Sequence, residues 1–169
     1  MRLSTGLHWG ADMGSLVSAE QKVKVLGHID DAVSKGARVL TGGRARPDIG
    51  PLVVEPTVLE GVTSAMACRD EETFGPLVSL YRVVSDDEAV RMANNSAYGL
   101  SGYVQSTNEE RAWAVARRLR AGTVNINNSF YLSPDAPFGG YGISGDGVEH
   151  GIAGFREYLR IKSIASPSH

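Results

Sequence analysis

The sequence predicts an α/β fold with a mainly parallel sheet and flanking helices. Segments with helical spacing of apolar residues alternate with short apolar strands between about residues 18 and 127. Helices that connect successive strands favour parallel pairing and cover both faces of the sheet. The composition, with 42% hydrophobic and 21% charged residues, is ordinary for a globular chain of 169 residues.

The first predicted helix begins at Ser18, because Ser18 and Gln21 have the spacing of a capping box. Gly36 predicts its left-handed stop. Residues 37–40 then form a short strand, and residues 1–17 form a separate, poorly defined segment. The apolar face of the helix carries four residues at helical spacing: Val25, Leu26, Ile29 and Val33.

Pro56 interrupts a β-branched segment at residues 51–59, which therefore predicts an edge strand or a bent strand pair. A further strand is predicted at residues 77–84. Ser85 and Glu88 have capping-box spacing and begin a helix that continues to about residue 93.

Thr107 and Glu110 predict the start of the next helix by the same spacing. Strands are predicted on either side of it, at residues 103–105 and 123–127. The apolar face of this helix carries Ala112, Val115, Ala116 and Leu119.

The segment after Asn127 differs in character, since residues 128–150 contain five glycines and two prolines with little periodicity. A long ordered loop of this kind is typical of a site or a contact. Residues 151–158 predict a short helix. Residues 159–164 alternate as a strand whose free edge would pair with another chain, so 18–158 is predicted as one domain and 159–169 as an oligomerisation strand and tail.

Charge and cysteine content exclude several classes of protein. The formal net charge is −2 and no extended basic cluster occurs, so neither nucleic acid nor a membrane surface is an expected partner. The single cysteine excludes an internal disulfide framework and a multi-cysteine metal site. With no apolar run long enough to span a membrane and no apolar signal region, the chain is expected to be cytoplasmic.

One candidate site is the segment 71–76, whose sequence is Glu-Glu-Thr-Phe-Gly-Pro. Gly75 and Pro76 fix a sharp backbone path directly before a strand. Carboxylates and a ring on such a loop suit a ligand that carries hydroxyls and an aromatic group, such as a nucleotide cofactor. A solvated acidic loop is the alternative interpretation.

The glycine-rich loop is a weaker candidate. Gly140, Gly142 and Gly145 match a bare Gly-x-Gly-x-x-Gly pattern, which in dinucleotide folds follows a strand and opens a helix. Neither context is predicted here, and no Lys-Ser or Lys-Thr pair follows. The glycines are better explained by a tight loop with positive φ angles.

Cysteine and histidine offer no further site. Cys68 precedes three carboxylates that would raise its thiol pKa, so a structural role is favoured over a nucleophilic one. The histidines show no metal-ligand spacing, and His28 is expected to pack at the border of the first helix's apolar face. The histidines are His8, His28, His150 and His169.

Taken together, five segments in this order resemble the C-terminal third of the aldehyde dehydrogenase superfamily, with similarity from about residue 12 to residue 164. Residues 45–52 look closest to bacterial succinate-semialdehyde-type members. The five matching segments are 37–43, 71–76, 95–102, 122–127 and 137–145.

The resemblance implies NAD(P)-dependent oxidation of an aldehyde to an acid through a cysteine thioester. It implies that Glu72 holds the nicotinamide-ribose hydroxyls and that Phe74 packs beside the nicotinamide. It further implies that Phe138 lines the aldehyde tunnel and that Phe130 and Leu132 shape substrate entry. Residues 159–164 match the strand that joins protomers in the family.

Departures from the family pattern qualify this expectation. The family's nucleophilic cysteine lies in a Gly-Gln-x-Cys setting that does not occur here, and Cys68 does not align with it. The general-base glutamate and the nucleotide-binding domain also lie upstream in the family, and Val148 replaces a frequent arginine. We therefore predict no catalytic residue and no metal site in this chain, which alone should be inactive.

Three hypotheses are compatible with the sequence. The chain is a truncated or split portion of an aldehyde dehydrogenase, an interaction partner that pairs through residues 159–164, or a stand-alone nucleotide binder. The last is the least favoured, because one carboxylate and one ring rarely suffice without a phosphate site. Self-association, or a need for a partner, is expected from apolar surface left uncovered.

Overall fold

The computed structural model describes residues 1–6, 9–128 and 133–167. They form two compact units, Met1–Arg82 and Val83–His169. Each unit combines helices with at least one parallel strand pair, as the α/β prediction requires. Within the described residues, no helix is both long and apolar enough to cross a membrane.

The first unit contains a three-stranded sheet in the order β1-β2-β3. Strands β1 and β2 are antiparallel, whereas β2 and β3 are parallel. The elements of this unit are α1 (Ala19–Ser34), β1 (Arg38–Thr41), β2 (Thr57–Glu60), α2 (Ala67–Asp70) and β3 (Leu77–Leu80).

Of the two alternatives predicted over residues 51–59, the edge strand was wrong, whereas the separate pairing of Val54 with Ala45 before Pro56 agrees with the bent pair. Strand β2 begins only at Thr57 and lies at the centre of its sheet. Pro56 directly precedes it, so its missing N–H lies outside the strand ladder. The Thr57 N–H donates to the carbonyl of Pro76 at 2.8 Å, which joins the start of β2 to the start of β3.

Helix α1 begins where the sequence predicts. The Ser18 hydroxyl accepts from the Gln21 N–H at 3.2 Å, and Gly36 has a φ of +100° just beyond the helix. One face of α1 is buried in the core of the first unit, which explains its apolar spacing. The core residues that it contributes or contacts are Val25, Ile29, Ala32, Val54, Leu59 and Met66.

The second unit contains two separate strand pairs. Strands β4 and β5 are parallel and flank helix α4, whereas β6 and β7 are short and antiparallel. The elements, including one 3₁₀ turn at Gly142–Ser144, are α3 (Asp86–Asn94), β4 (Ser101–Val104), α4 (Glu109–Ala116), β5 (Thr123–Ile126), β6 (Phe138–Gly139), β7 (Val148–Glu149) and α5 (Gly151–Glu157).

The two capping residues predicted in the second unit agree with the structure at α3 and differ from it at α4. At α3 the Ser85 hydroxyl accepts from the Glu88 N–H at 3.2 Å, as predicted. At α4 the capping residue is Asn108, whose Oδ1 accepts from the Arg111 N–H at 2.9 Å. The Thr107 prediction was therefore wrong, because an amide oxygen one residue later satisfies the helix end instead.

The predicted strand at residues 159–164 has no strand partner among the described residues, and residues 159–167 lie outside regular secondary structure. A strand that pairs only with another chain shows no ladder in an isolated chain, so this remains a prediction. Its apolar side chains are exposed: Leu159 by 56%, Ile161 by 102% and Ile164 by 83%.

Candidate functional site

The loop at residues 71–76 connects α2 to β3 and is held at both ends by backbone hydrogen bonds. The Glu71 N–H donates to the carbonyl of Ala67 at 2.9 Å, and Pro76 accepts from Thr57. Between these ends, Phe74 has a φ of +48°. This left-handed conformation is uncommon for a bulky residue, so the loop must be fixed by its surroundings.

Helix α1 supplies much of that support. The Gln21 side-chain amide donates to the carbonyl of Thr73 at 2.6 Å and to that of Phe74 at 2.9 Å. Gly75 lies directly against the helix, because a Cβ at this position would be 2.4 Å from Cγ2 of Val25. Gln21 therefore holds the loop backbone, although its spacing from Ser18 had suggested a role in capping only.

His28 contacts the same loop from the next turns of α1. It is only 7% exposed, and its Nδ1 lies 2.9 Å from Oγ1 of Thr73. Its Nε2 lies 3.5 Å from Oε2 of Glu71. The expected packing of His28 at the border of the apolar face is confirmed, whereas its polar contacts were missed.

A sequence signal for these contacts does exist. Gln21, Val25 and His28 have i, i+4, i+7 spacing, so they form one stripe of the helix. Two of the three are polar, and on a helix that packs inward such residues need hydrogen-bond partners. The signal does not say which loop provides the partners.

Glu72 and Phe74 project from the loop that this stripe holds. Phe74 is 75% exposed, and Glu72 is exposed as well. Within the described residues, the Glu72 carboxylate makes no hydrogen bond or ion pair. The arrangement thus presents a carboxylate and an aromatic ring to the outside on a backbone that is fixed from behind.

Three of the glycine-containing segments meet in the second unit. The carbonyl of Gly99 accepts from the N–H groups of Gly122 and Tyr141, each at 3.0 Å. The Gly99 N–H donates to the Ser144 hydroxyl at 3.0 Å. The segments 95–102, 122–127 and 137–145 therefore hold one another through the backbone.

These contacts explain why glycine occurs at these positions, and the explanation does not require a phosphate-binding role. Gly142 and Gly145 have φ angles of +61° and +127°. A Cβ on Gly122 would lie 1.8 Å from the carbonyl oxygen of Gly139, which no side chain could accept. Positive φ angles and close backbone approach, the structural interpretation of this loop, account for its composition.

Of the three residues expected to contact the aldehyde, Phe138 is the one that lies among the described residues. Phe138 is half-buried in β6, opposite Glu149 of β7. Phe130 and Leu132 lie outside the described residues, as do His8 and His169. The expected roles of all three apolar residues remain predictions.

Cys68 lies in α2 beside a core cluster that includes Ala32, Leu59 and Met66. Burial is the main cause that raises the pKa of its thiol, and the carboxylate of Asp31 adds to it. The raised pKa agrees with the sequence prediction. Its causes differ, because the sequence prediction attributed it to the carboxylates that follow Cys68. Within the described part of the chain, no group of three potential metal-ligating side chains occurs.

Comparison with known proteins decides the family. Residues 1–164 match the family model described as the aldehyde dehydrogenase family. This chain belongs to the aldehyde dehydrogenase family. A relative from Mycobacterium ulcerans, named putative succinate-semialdehyde dehydrogenase (NADP(+)) 2, is 49% identical over 98% of this chain, which covers 33% of that protein.

Solved structures of this family share the fold. The betaine aldehyde dehydrogenase of Staphylococcus aureus in complex with NAD+ has a TM-score of 0.88 and 38% identity, over 94% of this chain and 32% of that one. The succinate-semialdehyde dehydrogenase of Burkholderia pseudomallei has a TM-score of 0.84 and 42% identity, over 92% and 33%. The α/β prediction is confirmed, and the chain spans about a third of the length of these relatives.

Substitution of glycine by alanine tests the structural interpretation of the glycine-rich segments. We expect Gly122→Ala to lower the free energy of unfolding of the chain by about 1–3 kcal/mol or more, because its Cβ would overlap the Gly139 carbonyl. Gly147→Ala is the matched control, since a Cβ there meets nothing within 4 Å. Urea unfolding followed by circular dichroism measures both, and equal losses would contradict the packing argument.

The thiol of Cys68 provides a second test. Because burial raises its pKa above the ordinary value of 9.0, the neutral thiol dominates near neutral pH and the native chain should react slowly with a disulfide reagent. At about pH 8 we expect a rate at least about tenfold below that of the urea-unfolded chain. Because the folded chain holds the thiol proton more tightly than the unfolded chain, the contribution of Cys68 to the free energy of unfolding is greatest below the unfolded pKa. It is lost as pH rises through the folded pKa. A native rate equal to the unfolded rate would contradict this account.

Proposed function

We propose that these residues supply the C-terminal third of the catalytic machinery of an NAD(P)-dependent aldehyde dehydrogenase. The observation that carries the proposal is the loop at residues 71–76, which presents Glu72 and Phe74 outward while helix α1 fixes its backbone. In a chain that matches the family over residues 1–164, this loop is the part best suited to a nicotinamide nucleotide.

The Glu72 carboxylate has two oxygens and can accept from two neighbouring hydroxyls at once. Vicinal hydroxyls of the nicotinamide ribose are donors of this kind, and hydrogen bonds to a charged acceptor are about twice as strong as neutral ones. Phe74 offers an exposed ring beside that carboxylate, against which the nicotinamide can pack. The two side chains would orient the coenzyme; the coenzyme itself supplies hydride chemistry when bound.

The aldehyde would be shaped by apolar side chains of the second unit. We propose that Phe138 lines its path and that Phe130 and Leu132 form the variable part of the entrance. Succinic semialdehyde is the proposed substrate, because relatives with 49% and 36% identity are named for it. NADP+ is the coenzyme named in the first of these relatives.

Cys68 is not the proposed nucleophile. Its half-buried position in the core and its raised pKa oppose thiolate formation. Hydride transfer from an aldehyde requires an adduct with a nucleophile, so a polypeptide of these 169 residues alone is expected to be inactive. A cytoplasmic location belongs to the same proposal and rests on the single cysteine.

A chimera tests the proposal directly. In it, these residues replace the matching third of the Mycobacterium ulcerans relative, which supplies the remainder of the enzyme. We expect the chimera to reduce NADP+ with succinic semialdehyde. Absence of any aldehyde-dependent activity in a folded chimera would contradict the proposed function, whereas oxidation of betaine aldehyde alone would reassign the substrate.

Within this chimera, Glu72→Gln should raise the KM for NADP+ by about 10- to 100-fold, because one charged acceptor of two hydroxyls is lost. The matched control is Asp70→Asn, since this carboxylate already pairs with the neighbouring Arg69. Steady-state kinetics at saturating aldehyde measure both variants. Equal KM values for the wild type and Glu72→Gln would remove Glu72 from the coenzyme site.

A second candidate function is oligomerisation through residues 159–164. The observation that favours it is the exposure of three apolar side chains in a segment without a strand partner among the described residues: Leu159, Ile161 and Ile164. An alternating segment of this kind can add to the sheet edge of another chain. The partner would be a second copy or a homologous full-length enzyme.

Charge in this segment should block that association. We expect Ile161→Asp to shift the chain from an oligomer to a monomer, because a buried carboxylate at the strand edge would be unpaired. Ser166→Asp adds the same charge outside the segment and serves as the control. Size-exclusion chromatography with light scattering measures the mass, and a monomeric wild type, alone and with the relative, would contradict this function.

A further inference from the structure

We infer that His28 is a positioning residue for the coenzyme loop, and that its contact with Thr73 fixes the direction of Glu72 and Phe74. The inference rests on the proposed coenzyme role of those two residues. It concerns a side chain that lies behind the loop and would not touch the coenzyme itself. The contact joins Nδ1 of His28 to Oγ1 of Thr73 at 2.9 Å.

The loop needs such support because its conformation is strained. Phe74 has a φ of +48°, and a bulky residue keeps this conformation only where its surroundings determine it. Gln21 holds the two carbonyls of Thr73 and Phe74, and Val25 packs against Gly75. These contacts hold the backbone, but neither restrains the side chain of Thr73.

His28 provides that missing restraint. Thr73 lies between Glu72 and Phe74, so a rotation of its backbone would turn both neighbours. The His28 ring is only 7% exposed, which leaves it little freedom to follow such a movement. Its hydrogen bond therefore fixes Thr73 and, through the two adjoining peptide planes, the outward directions of its neighbours.

The same ring distinguishes the two adjacent carboxylates. Its Nε2 lies 3.5 Å from Glu71, which is thus directed back toward α1. Glu72, the next residue, remains exposed and without a partner within the described part of the chain. Both carboxylates are exposed, and the contact with His28 distinguishes them: it engages Glu71 and leaves Glu72 without a protein partner in the described residues.

Two substitutions of His28 separate a positioning role from simple core packing. His28→Leu fills a similar volume but removes both ring nitrogens. His28→Asn loses volume yet keeps a polar atom near the position of Nδ1, so it should preserve the contact with Thr73. If His28 acts only by filling space, leucine will be the better replacement; if it positions the loop, asparagine will be.

The first readout is the order of the loop in the full chain, which needs no coenzyme. Nuclear magnetic resonance relaxation of residues 72–75 should give backbone order parameters near ~0.85 in the wild type and below ~0.6 in His28→Leu. His28→Asn should restore high values, and Thr73→Val should lower them as leucine does. Asp30→Asn, at an exposed position of the same helix, is the control. Should His28→Leu fail to fold, Thr73→Val decides, because it removes the same contact from the loop side.

The second readout links the loop to the coenzyme. In the chimera described above, Thr73→Val and His28→Leu should each raise the KM for NADP+ by about five- to tenfold while kcat changes less than twofold. Their effects should not add in the double variant, since both remove one contact. Unchanged KM values would overturn the inference.

The outcomes also distinguish this inference from the proposed function. Order parameters unaffected by either substitution overturn the role of His28, whatever Glu72→Gln does to the KM. A loop that loosens as expected, together with a Glu72→Gln variant of normal KM, overturns the coenzyme assignment on which the role depends. If the loop loosens and the KM for NADP+ rises both in the His28 and Thr73 variants and in Glu72→Gln, the role of His28 and the coenzyme assignment are both supported.

Discussion

The hydrogen bonds from helix α1 to the loop at residues 71–76 are the interaction on which the candidate site depends. Gln21 reaches the carbonyls of Thr73 and Phe74, and His28 reaches the Thr73 hydroxyl. These contacts allow an aromatic residue to keep a left-handed φ, and hence to point away from the core. The outward carboxylate and ring are thus a consequence of contacts made on the opposite side of the loop.

The second unit is ordered by backbone hydrogen bonds between its glycine-containing segments. Its glycine-containing segments approach one another closely enough to exchange backbone hydrogen bonds, with Gly99 at the centre. Side chains at Gly122 or Gly142 would collide with carbonyl oxygens of neighbouring segments. Glycine is therefore required for packing, and a loop that resembles a phosphate-binding pattern serves instead to join strands to the segment that carries Phe138.

These two sets of contacts occur in a chain that matches the aldehyde dehydrogenase family over residues 1–164. The chain spans about a third of its relatives and carries a single, half-buried cysteine whose pKa burial raises. Its first unit presents an exposed carboxylate and ring on the loop at residues 71–76, and its second unit contains the half-buried Phe138.

The sequence by itself determined the features that depend on local spacing: the α/β class, the start of α1 at Ser18 and of α3 at Ser85, and the ordered motifs that resemble the family. Helical periodicity and capping are local, so they can be read from neighbouring residues. Only the tertiary structure decided that β2 is central, that Asn108 caps α4, and that Gln21 and His28 hold the loop. The first and third of these outcomes join residues that are about 20 to 50 positions apart in the chain. The second depends on which of two adjacent polar groups reaches a free N–H, and spacing alone does not decide such a competition.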